Sequence, residues 1–494
     1  MAAEATPTRG RREYFLLLLP LFFVLHGYTE NYALIGAGDA LALLLQYILA
    51  TALLCALFFL LFRSWRRTAI FVFWLMAFQF FFGSLHDAEQ ALLPHSFLTK
   101  YIFLLPLIAA CFIGALLYFK RTRRSFHRLT AYLHVLLALL IIVDAGSLLL
   151  KQRKSRPAHA GLPAGFTACD SCAKPDVYFI VADEYAGQRE LQDVFGFDNH
   201  PFLDALRARG FHIMDSSLSN YNYTPFSAAS ILSMDYLSGI EGHNQSKSDR
   251  HLCYEKINRN PVVAFFRAQG YALRNFSVFQ FGNDLPVAAS PFVLTGKDLL
   301  RAQTFLSRLD HDIRFNLVTN YRIPSQVRAL ADAELASVEE LYERTRQEAV
   351  RSSGQPRFIY SHLMMPHYPY FYDRNGNRTP PDRVLEGSQM RKDEYIGYLQ
   401  YANKKYLELI DQILSHAQRP PVIIFMGDHG FRHFTHDVDH RYYFMNLDAV
   451  YLPGRNYAGF YPSLSAVNQF RILFNTQFGQ HLPLLKDSTK FLTE

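Results

Sequence analysis

The sequence predicts an α-helical membrane domain of five transmembrane helices, followed by an α/β domain with a mainly parallel sheet sandwiched by helices. Two observations lead to this prediction. Long apolar runs fill the first 150 residues of the 494-residue chain, and short apolar strands alternate with amphipathic helices in the rest. We therefore expect a membrane domain over residues 1–155, a linker over 156–175 and a second domain over 176–494.

The apolar runs of the first domain have the composition of membrane spans. Most approach the roughly 20 residues that a helix needs to cross a bilayer. They are Tyr14–Leu25, Ala40–Phe62, Thr68–Leu85, Tyr101–Phe119 and Leu129–Leu150. The first run is short, but no small-residue cleavage site of a signal peptide follows it, so we interpret it as a first span.

Basic clusters between the runs predict the orientation of the chain. "RGRR" at 9–12, "RSWRR" at 63–67 and "KRTRR" at 120–124 are expected on the cytoplasmic side. With five spans, everything after Leu150 then lies outside. "KQRKSR" at 151–156 disagrees, although a basic segment at the outer face could contact anionic lipid headgroups. These clusters explain part of the net charge of +7, and no basic-aromatic groove pattern indicates nucleic-acid binding.

Five cysteines are distributed over both domains. Cys55 and Cys111 lie within apolar runs, where we expect them to be packing residues. Cys169 and Cys172 open the second domain, and an oxidising compartment favours a disulfide there over a metal or redox site. Cys253 is left over, and its state stays open.

The second domain shows the pattern of a parallel α/β sheet. "DVYFIVA", "RFIYSHL" and "PPVIIFM" are short apolar runs typical of buried strands. Between them, "ADAELASVEELYERTRQEAV" and "EYIGYLQYANKKYLELIDQIL" carry apolar residues at helical spacing. Strands that alternate with helices in this way indicate a mainly parallel sheet.

Acidic residues and histidines follow these strands. Asp183 and Glu184 follow the first strand, His367 follows the second, and Asp428 and His429 follow the third. Ligands of such sheets bind beyond the carboxyl ends of the strands. Asp and His are ligand types for divalent ions such as Zn or Mn, so the strand ends predict a metal site. Taken singly, each residue could instead be a turn residue, a helix cap or a core histidine.

The stretch "YNYTPFSAASILSM" at 221–234 raises two alternatives for Thr224. Threonine caps helices well, and Pro225 suits the first helical turn, so Thr224 could be an ordinary N-cap. It could also be a nucleophile that shares the metal site.

Four motifs together resemble the alkaline phosphatase/sulfatase superfamily, and within it the membrane-anchored branch of phosphoethanolamine transferases and lipoteichoic acid synthase. "DVYFIVADE", "TPFSAASILSM", "MMPHYPY" and "MGDHG" carry the resemblance, which covers about residues 176–475. It implies an alkaline-phosphatase-like fold. It implies the following roles: metal ligands Asp183, Thr224, Asp428 and His429, with Glu184 as a further candidate; nucleophile Thr224; and catalytic histidine His367.

Some features of the sequence depart from the family pattern and change which substrate and which further ligand residues we expect. Sulfatases use a Cys or Ser within C/S-x-P-x-R, whereas Thr224 stands here with no Arg at that spacing, which argues against sulfate-ester hydrolysis. "RHFTHDVDHR" offers His433, His436 and His440 for a second metal or for phosphate contacts. Spacing in the transferases favours His440 as a substrate contact, and Arg432 could stabilise phosphoryl charge.

The resemblance implies a metal-dependent transferase with one or two Zn or Mn ions. It would move phosphoethanolamine or glycerol phosphate from a phospholipid to a glycan or lipid acceptor through a phospho-threonine intermediate. The expected location is the bacterial inner membrane, with several spans and a periplasmic catalytic domain. A phosphodiesterase or sulfatase-like hydrolase on the same fold is the first alternative, and a non-catalytic membrane scaffold is the second.

Overall fold

The computed structural model describes residues 13–32, 34–94, 96–122, 124, 126–155, 162–163, 165–169, 172–240, 245–282, 284, 296–384 and 391–493. The chain forms two compact units. The helical unit comprises Met1–Arg156 together with Thr295–Phe315, and the sheet unit comprises Pro157–Leu294 together with Asn316–Glu494.

The helical unit is built from long apolar helices. They are α1 Phe15–Glu30, α2 Ala37–Phe62, α3 Trp65–Leu92, α4 Tyr101–Arg121 and α5 His127–Ser155. Among the described residues, α2 to α5 are long and apolar enough to cross a membrane. Of the five spans predicted from the sequence, the first is not confirmed. It corresponds to α1, which has only 16 residues and whose apolar run ends in the polar sequence "YTEN".

Helix α1 is nevertheless a central part of the helical unit. Phe15, Leu19 and Phe23 on this helix are buried, and the ring of Phe23 stacks on Phe80 of α3 at 4.4 Å. The helix therefore contributes core side chains to the unit rather than lying outside it.

Residues from the middle of the sequence also belong to the helical unit. Helix α11 Asp298–Arg301 and the first part of α12 Phe305–Thr319 pack with the apolar helices. The sequence predicts this segment as part of the second domain, because its mixed polar composition does not indicate a membrane-associated stretch.

The sheet unit contains a six-stranded sheet between helices. The strands are β1 Val177–Ala182, β2 His212–Ile213, β3 Ala272–Phe276, β4 Arg357–Leu363, β5 Val422–Gly427 and β6 Asp448–Tyr451. The helices are α6 Gln188–Phe195, α7 His200–Ala208, α8 Thr224–Ser233, α9 Lys247–Asn258, α10 Pro261–Ala268, α13 Pro324–Ala349, α14 Pro381–Val384, α15 Lys392–His416 and α16 Gln469–Gln477. The three strands predicted from apolar runs form β1, β4 and β5.

The strand order is β2-β6-β5-β1-β4-β3. Strands β1, β3, β4 and β5 are parallel, whereas β6 pairs antiparallel with both β5 and β2. The sheet is thus mixed, with one strand running against the other five. The chain between β5 and β6 contains only a short 3₁₀ turn, and without a crossover helix the chain returns antiparallel.

Strand β1 lies at the centre of the sheet and is buried on both faces. Val177, Phe179 and Val181 point into one apolar core, and Tyr178 and Ile180 point into the other. Helices α8, α10 and α16 cover the first face, and α7, α13 and α15 cover the second. Two covered faces explain why the strand reads as one continuous apolar run.

Cys169 and Cys172 form a disulfide, with their Cα atoms 5.5 Å apart. Cys253, whose state the sequence left open, is a buried free thiol.

A buried ion-pair network fixes the amino end of β4. The Arg357 guanidinium donates to Asp176 Oδ2 at 2.7 Å and to Glu348 Oε1 at 2.9 Å. The Arg357 side chain is only 4% exposed. Arg419 also pairs with Asp176 at 3.1 Å and Arg274 with Glu348 at 3.3 Å, but both of these guanidinium groups are partly exposed.

We expect Arg357→Ala to destabilise the sheet unit by about 3 kcal/mol, because two buried carboxylates lose their only fully buried counter-charge among the described residues and keep partly exposed ones. Thermal unfolding of the purified full-length chain in detergent, followed by circular dichroism, measures this as a lower Tm. The matched control is Arg351→Ala, which removes a 62% exposed guanidinium that pairs with the same Glu348. The control should change stability by at most about 1 kcal/mol. Equal effects of the two variants would contradict the role of the buried network.

Candidate active site

The carboxyl ends of β1 and β5 bring the predicted acidic residues together. Ala182 pairs with Gly427 at the last position of the two strands, so Asp183 and Asp428 emerge side by side. Asp428 Oδ1 accepts the backbone N–H groups of Glu184 at 2.9 Å and of His429 at 3.0 Å. These bonds tie the two strand ends to each other.

The two glycines of "MGDHG" allow this close approach. A Cβ atom at Gly427 would lie 2.6 Å from the backbone oxygen of Tyr185. A Cβ atom at Gly430 would lie 2.7 Å from Glu190 Oε2. Larger residues at either position would push the strand ends apart.

Thr224 is the first residue of α8 and does not cap it. The N-cap is Tyr223, whose side chain makes no capping hydrogen bond, so the N-cap interpretation of Thr224 is wrong. The Thr224 hydroxyl instead lies 3.5 Å from Asp183 Oδ1 and 3.3 Å from His429 Nε2. It also lies at a helix N-terminus, where backbone N–H groups favour an anion.

The hydrogen bonds of His429 indicate which of its ring nitrogens carries the proton and which can accept one from Thr224. Nδ1 lies 2.7 Å from the carbonyl oxygen of Gly430, which can only accept, so Nδ1 carries the proton. In a neutral ring, Nε2 then has a free lone pair directed toward the Thr224 hydroxyl. That lone pair can accept the hydroxyl proton or bind a cation.

His362 is a member of this cluster that the sequence analysis missed. Its Nε2 lies 3.3 Å from Asp183 Oδ2, and its Nδ1 lies 3.0 Å from the Tyr360 hydroxyl. Burial lowers the pKa of the imidazole, but the hydrogen bond and charge of Asp183 outweigh burial and raise it. The available signal was a histidine near the end of an otherwise apolar strand.

A second cluster forms beside the first. Glu184 Oε2 lies 3.9 Å from His367 Nε2, and Glu184 Oε1 lies 3.6 Å from His433 Nε2. The backbone N–H of Arg432 donates to Glu184 Oε1 at 2.9 Å. Glu184 has φ +58°, a left-handed conformation that is uncommon for residues with a side chain and occurs often at functional sites.

The charges of the two clusters are coupled. Burial opposes ionisation of Asp183, but nearby His367 and His362 lower its pKa. Burial likewise opposes ionisation of Glu184, and His433 and His367 lower its pKa. Burial lowers the pKa of His433 to about 4, against the attraction of Glu184. When neutral, the His433 ring has a lone pair available for a ligand.

These residues fit a divalent cation. Asp183, His362 and Asp428 offer ligand atoms within 4.8 Å of one another, and so do Glu184, His367 and His433. Within the described part of the chain, Glu184 Oε2, Asp428 Oδ2 and His433 Nε2 are buried without a hydrogen-bond partner. Buried polar atoms that converge without partners are the expected state of a ligand set.

The loop after β5 brings in some of its predicted residues and not others. The Arg432 guanidinium lies 4.7 Å over the ring of Tyr223, next to Thr224 in sequence. His440, favoured by spacing, is exposed and stacks on Phe491 at 3.9 Å. His436 is also exposed. Of the three loop histidines, His433 is the one that reaches Glu184.

Comparisons with known proteins agree with this architecture. No curated protein sequence matches the chain significantly. Two structures of the C-terminal periplasmic domain of EcEptC from Escherichia coli are similar at 13% identity, covering 68% of this chain and 94% of theirs. Their TM-scores are 0.42 and, for the complex with Zn, 0.41. The phosphonate monoester hydrolase SpPMH from Silicibacter pomeroyi is similar at 16% identity, covering 64% of this chain and 75% of that chain, with a TM-score of 0.37.

The sulfatase family model matches residues 175–469, which is more than half of the sequence, and the chain therefore belongs to the sulfatase family.

Proposed function

We propose that the protein is a metal-dependent phosphotransferase that moves a phospho-alcohol headgroup from a phospholipid to an acceptor hydroxyl. The observation that supports this most directly is the position of Thr224. Its hydroxyl points away from its own helix and into a buried group of carboxylates and imidazoles. A helix cap has no need of that environment, whereas a nucleophile does.

The nucleophile needs help to lose its proton. A cation held by Asp183, Asp428, His429 and Thr224 itself would lower the pKa of the hydroxyl and offset the charge of an attacked phosphate. His362 holds Asp183 in place through its Nε2. Asp428 is oriented by two backbone N–H groups, so both carboxylates present fixed oxygens to the site.

The proposed reaction has two in-line steps. In the first, Thr224 Oγ1, which has lost its proton to solvent and reacts as the alkoxide, bonds to phosphorus, and the bond from phosphorus to the glycerol oxygen breaks. His367 gives a proton to that oxygen, and diacylglycerol leaves. In the second, an acceptor hydroxyl loses its proton to His367 and attacks phosphorus, and Thr224 is released. Arg432, whose guanidinium lies over the ring of Tyr223 next to Thr224, would stabilise charge on the phosphoryl oxygens.

A membrane-lipid donor agrees with the four membrane-length helices of the same chain. Phosphoethanolamine and glycerol phosphate are both compatible with the site, and the acceptor is a glycan or lipid hydroxyl. The location that agrees with these features is the inner membrane with a periplasmic catalytic domain. Residues 1–155 form the membrane domain, and residues 176–494, apart from the stretch Thr295–Phe315 of the helical unit, form the catalytic domain.

Substitution of the nucleophile tests the mechanism. We expect Thr224→Ala to reduce diacylglycerol release by at least about 1,000-fold, as removal of a nucleophile does in other enzymes that form a covalent intermediate. Thr224→Ser should retain part of the activity, because it keeps the hydroxyl. The assay uses detergent-purified protein with phosphatidylethanolamine or phosphatidylglycerol, and Zn or Mn is added.

The matched control is Ser230→Ala on the same helix. The Ser230 hydroxyl donates to the backbone of Asp235 at 2.8 Å, so its loss should leave turnover within about twofold of wild type. Activity that survives in Thr224→Ala would end the nucleophile assignment.

The fate of the headgroup separates transfer from hydrolysis. We expect labelled phospho-alcohol to appear on a second lipid or glycan when an acceptor is present. Release of free phospho-alcohol alone would indicate a phosphodiesterase. No turnover of either lipid, with metal bound, would support the non-catalytic scaffold.

Metal content tests the ligand set independently of activity. We expect Asp428→Asn to weaken Zn or Mn binding at least about 10-fold, since even loss of a residue that only orients a ligand costs that much. Elemental analysis after dialysis of the full-length chain measures the bound metal per chain. The control is Asp411→Asn, an exposed carboxylate paired with Arg209. If Asp428→Asn bound metal as the wild type does, this carboxylate would not be a ligand.

A further inference from the structure

Residues 296–314 form a docked segment of the helical unit, more than 140 residues after α5 in the sequence. This docked segment contacts several apolar helices and one of their loops. The N–H of Gly296 donates to the carbonyl oxygen of Leu34 at 3.2 Å, in the α1–α2 connection. Arg301 donates to Gln46 Oε1 of α2 at 2.9 Å.

One stripe of α3 makes the main contact. Gln79, Gly83 and Asp87 are four residues apart, so they share one face of the helix. Gln79 Oε1 accepts from the N–H of Leu306 at 3.3 Å, and the N–H of Gly83 donates to the carbonyl oxygen of Gln303 at 2.8 Å. The contact extends along about 12 Å of α3.

Small residues on α1 and α3 make room for the segment. A Cβ atom at Gly83 would lie 2.6 Å from the carbonyl oxygen of Gln303. A Cβ atom at Gly27 of α1 would lie 2.8 Å from Leu300 Cγ. This is the close approach that small residues permit between packed membrane segments.

The position of the stripe on α3 defines the depth of the segment. Arg66 and Arg67 in the first turn of α3 place its start on the cytoplasmic side. Gln79 lies about 21 Å further along the helix axis. Because the hydrocarbon layer is about 30 Å thick, Gln79 and Gly83 fall in its outer half, and Asp87, about 33 Å along the axis, lies at its outer boundary.

Polar groups of the docked segment are satisfied at this depth. The carbonyl oxygen of Gln303 and the N–H of Leu306 both have partners on α3. The Arg308 guanidinium donates to both Asp87 oxygens, at 2.9 and 3.0 Å. Non-helical backbone within a bilayer is tolerated only when its polar groups are paired in this way.

The first turn of α12 carries an exposed apolar side chain. Leu306 is 63% exposed, whereas the exposed ion pair of Asp310 and Arg314 makes the next turn of the helix polar. Phe305 points the other way, against Phe82 of α3. Leu85 of α3 and Ile102 of α4 are also exposed, so Leu306 adds to the apolar surface of the membrane helices.

We propose that the docked segment is a re-entrant membrane element, and that Leu306 contacts the acyl chains of outer-leaflet phospholipid. The segment thereby belongs to the bilayer-embedded part of the chain, although it interrupts the sequence of the catalytic domain. This inference does not depend on the transferase activity.

Tryptophan quenching by lipid tests the proposal in the full-length chain. The native Trp65 and Trp74 are replaced by Phe, and single tryptophans are introduced as Leu306→Trp or His311→Trp. Both positions are exposed, but His311 lies on another face of α12. The protein is reconstituted in phosphatidylcholine vesicles with or without bromine on the acyl chains. We expect the quenched fraction at position 306 to be at least about twice that at position 311, since apolar side chains of such elements insert into the acyl region.

Two results would overturn the proposal. Equal quenching at both positions, with strong quenching by aqueous iodide, would place the segment in water. Protection of position 306 from both quenchers would mean that protein, such as a second copy of the chain, covers this face.

A second variant tests the docking itself. Gly83→Val should displace the segment and lower the lipid quenching at position 306. Gly114→Val is the control, because a Cβ atom at Gly114 of α4 meets nothing within 4 Å. Unchanged quenching in Gly83→Val would contradict docking against α3.

Discussion

Three buried carboxylates at the ends of two neighbouring strands are the central electrostatic constraint on this fold. Asp183, Glu184 and Asp428 are almost completely removed from water, and their negative charges would repel one another without compensation. Imidazole rings surround them, and Glu184 Oε2 and Asp428 Oδ2 remain without a hydrogen-bond donor among the described residues. The arrangement is stable only with positive charge nearby, so the same feature that strains the fold favours a bound cation.

Part of this site follows from the sequence because strand geometry is simple. Asp183 and Asp428 each follow an apolar strand, and parallel neighbouring strands must end at the same edge. His362 could not be found in this way, since it lies inside a strand and reads as core. The loop after β5 has no such geometric constraint. Motif spacing therefore favoured His440 as a substrate contact, whereas the folded loop brings His433 close to Glu184.

The fold was predictable to a similar extent and for similar reasons. Apolar periodicity indicates membrane helices and central strands, because burial on all sides requires it. Apolar periodicity does not indicate the direction of β6, because that direction depends on the absence of a crossover helix. It also does not indicate that α1 is shorter than a membrane span. It also gives no sign of the docked segment, whose membrane contacts use backbone atoms, two glycines and paired charges instead of an apolar run.

The docked segment also constrains the order in which the chain can assemble during synthesis. Its partners α1, α2 and α3 are made first, so it has a place to bind as soon as it emerges. Strand β1 is made before the segment, but both of its neighbours, β4 and β5, follow it. Because domains form progressively from the amino terminus, the helical unit can be completed while the central strand still lacks both partners. The helical unit can therefore assemble first, and the sheet closes last.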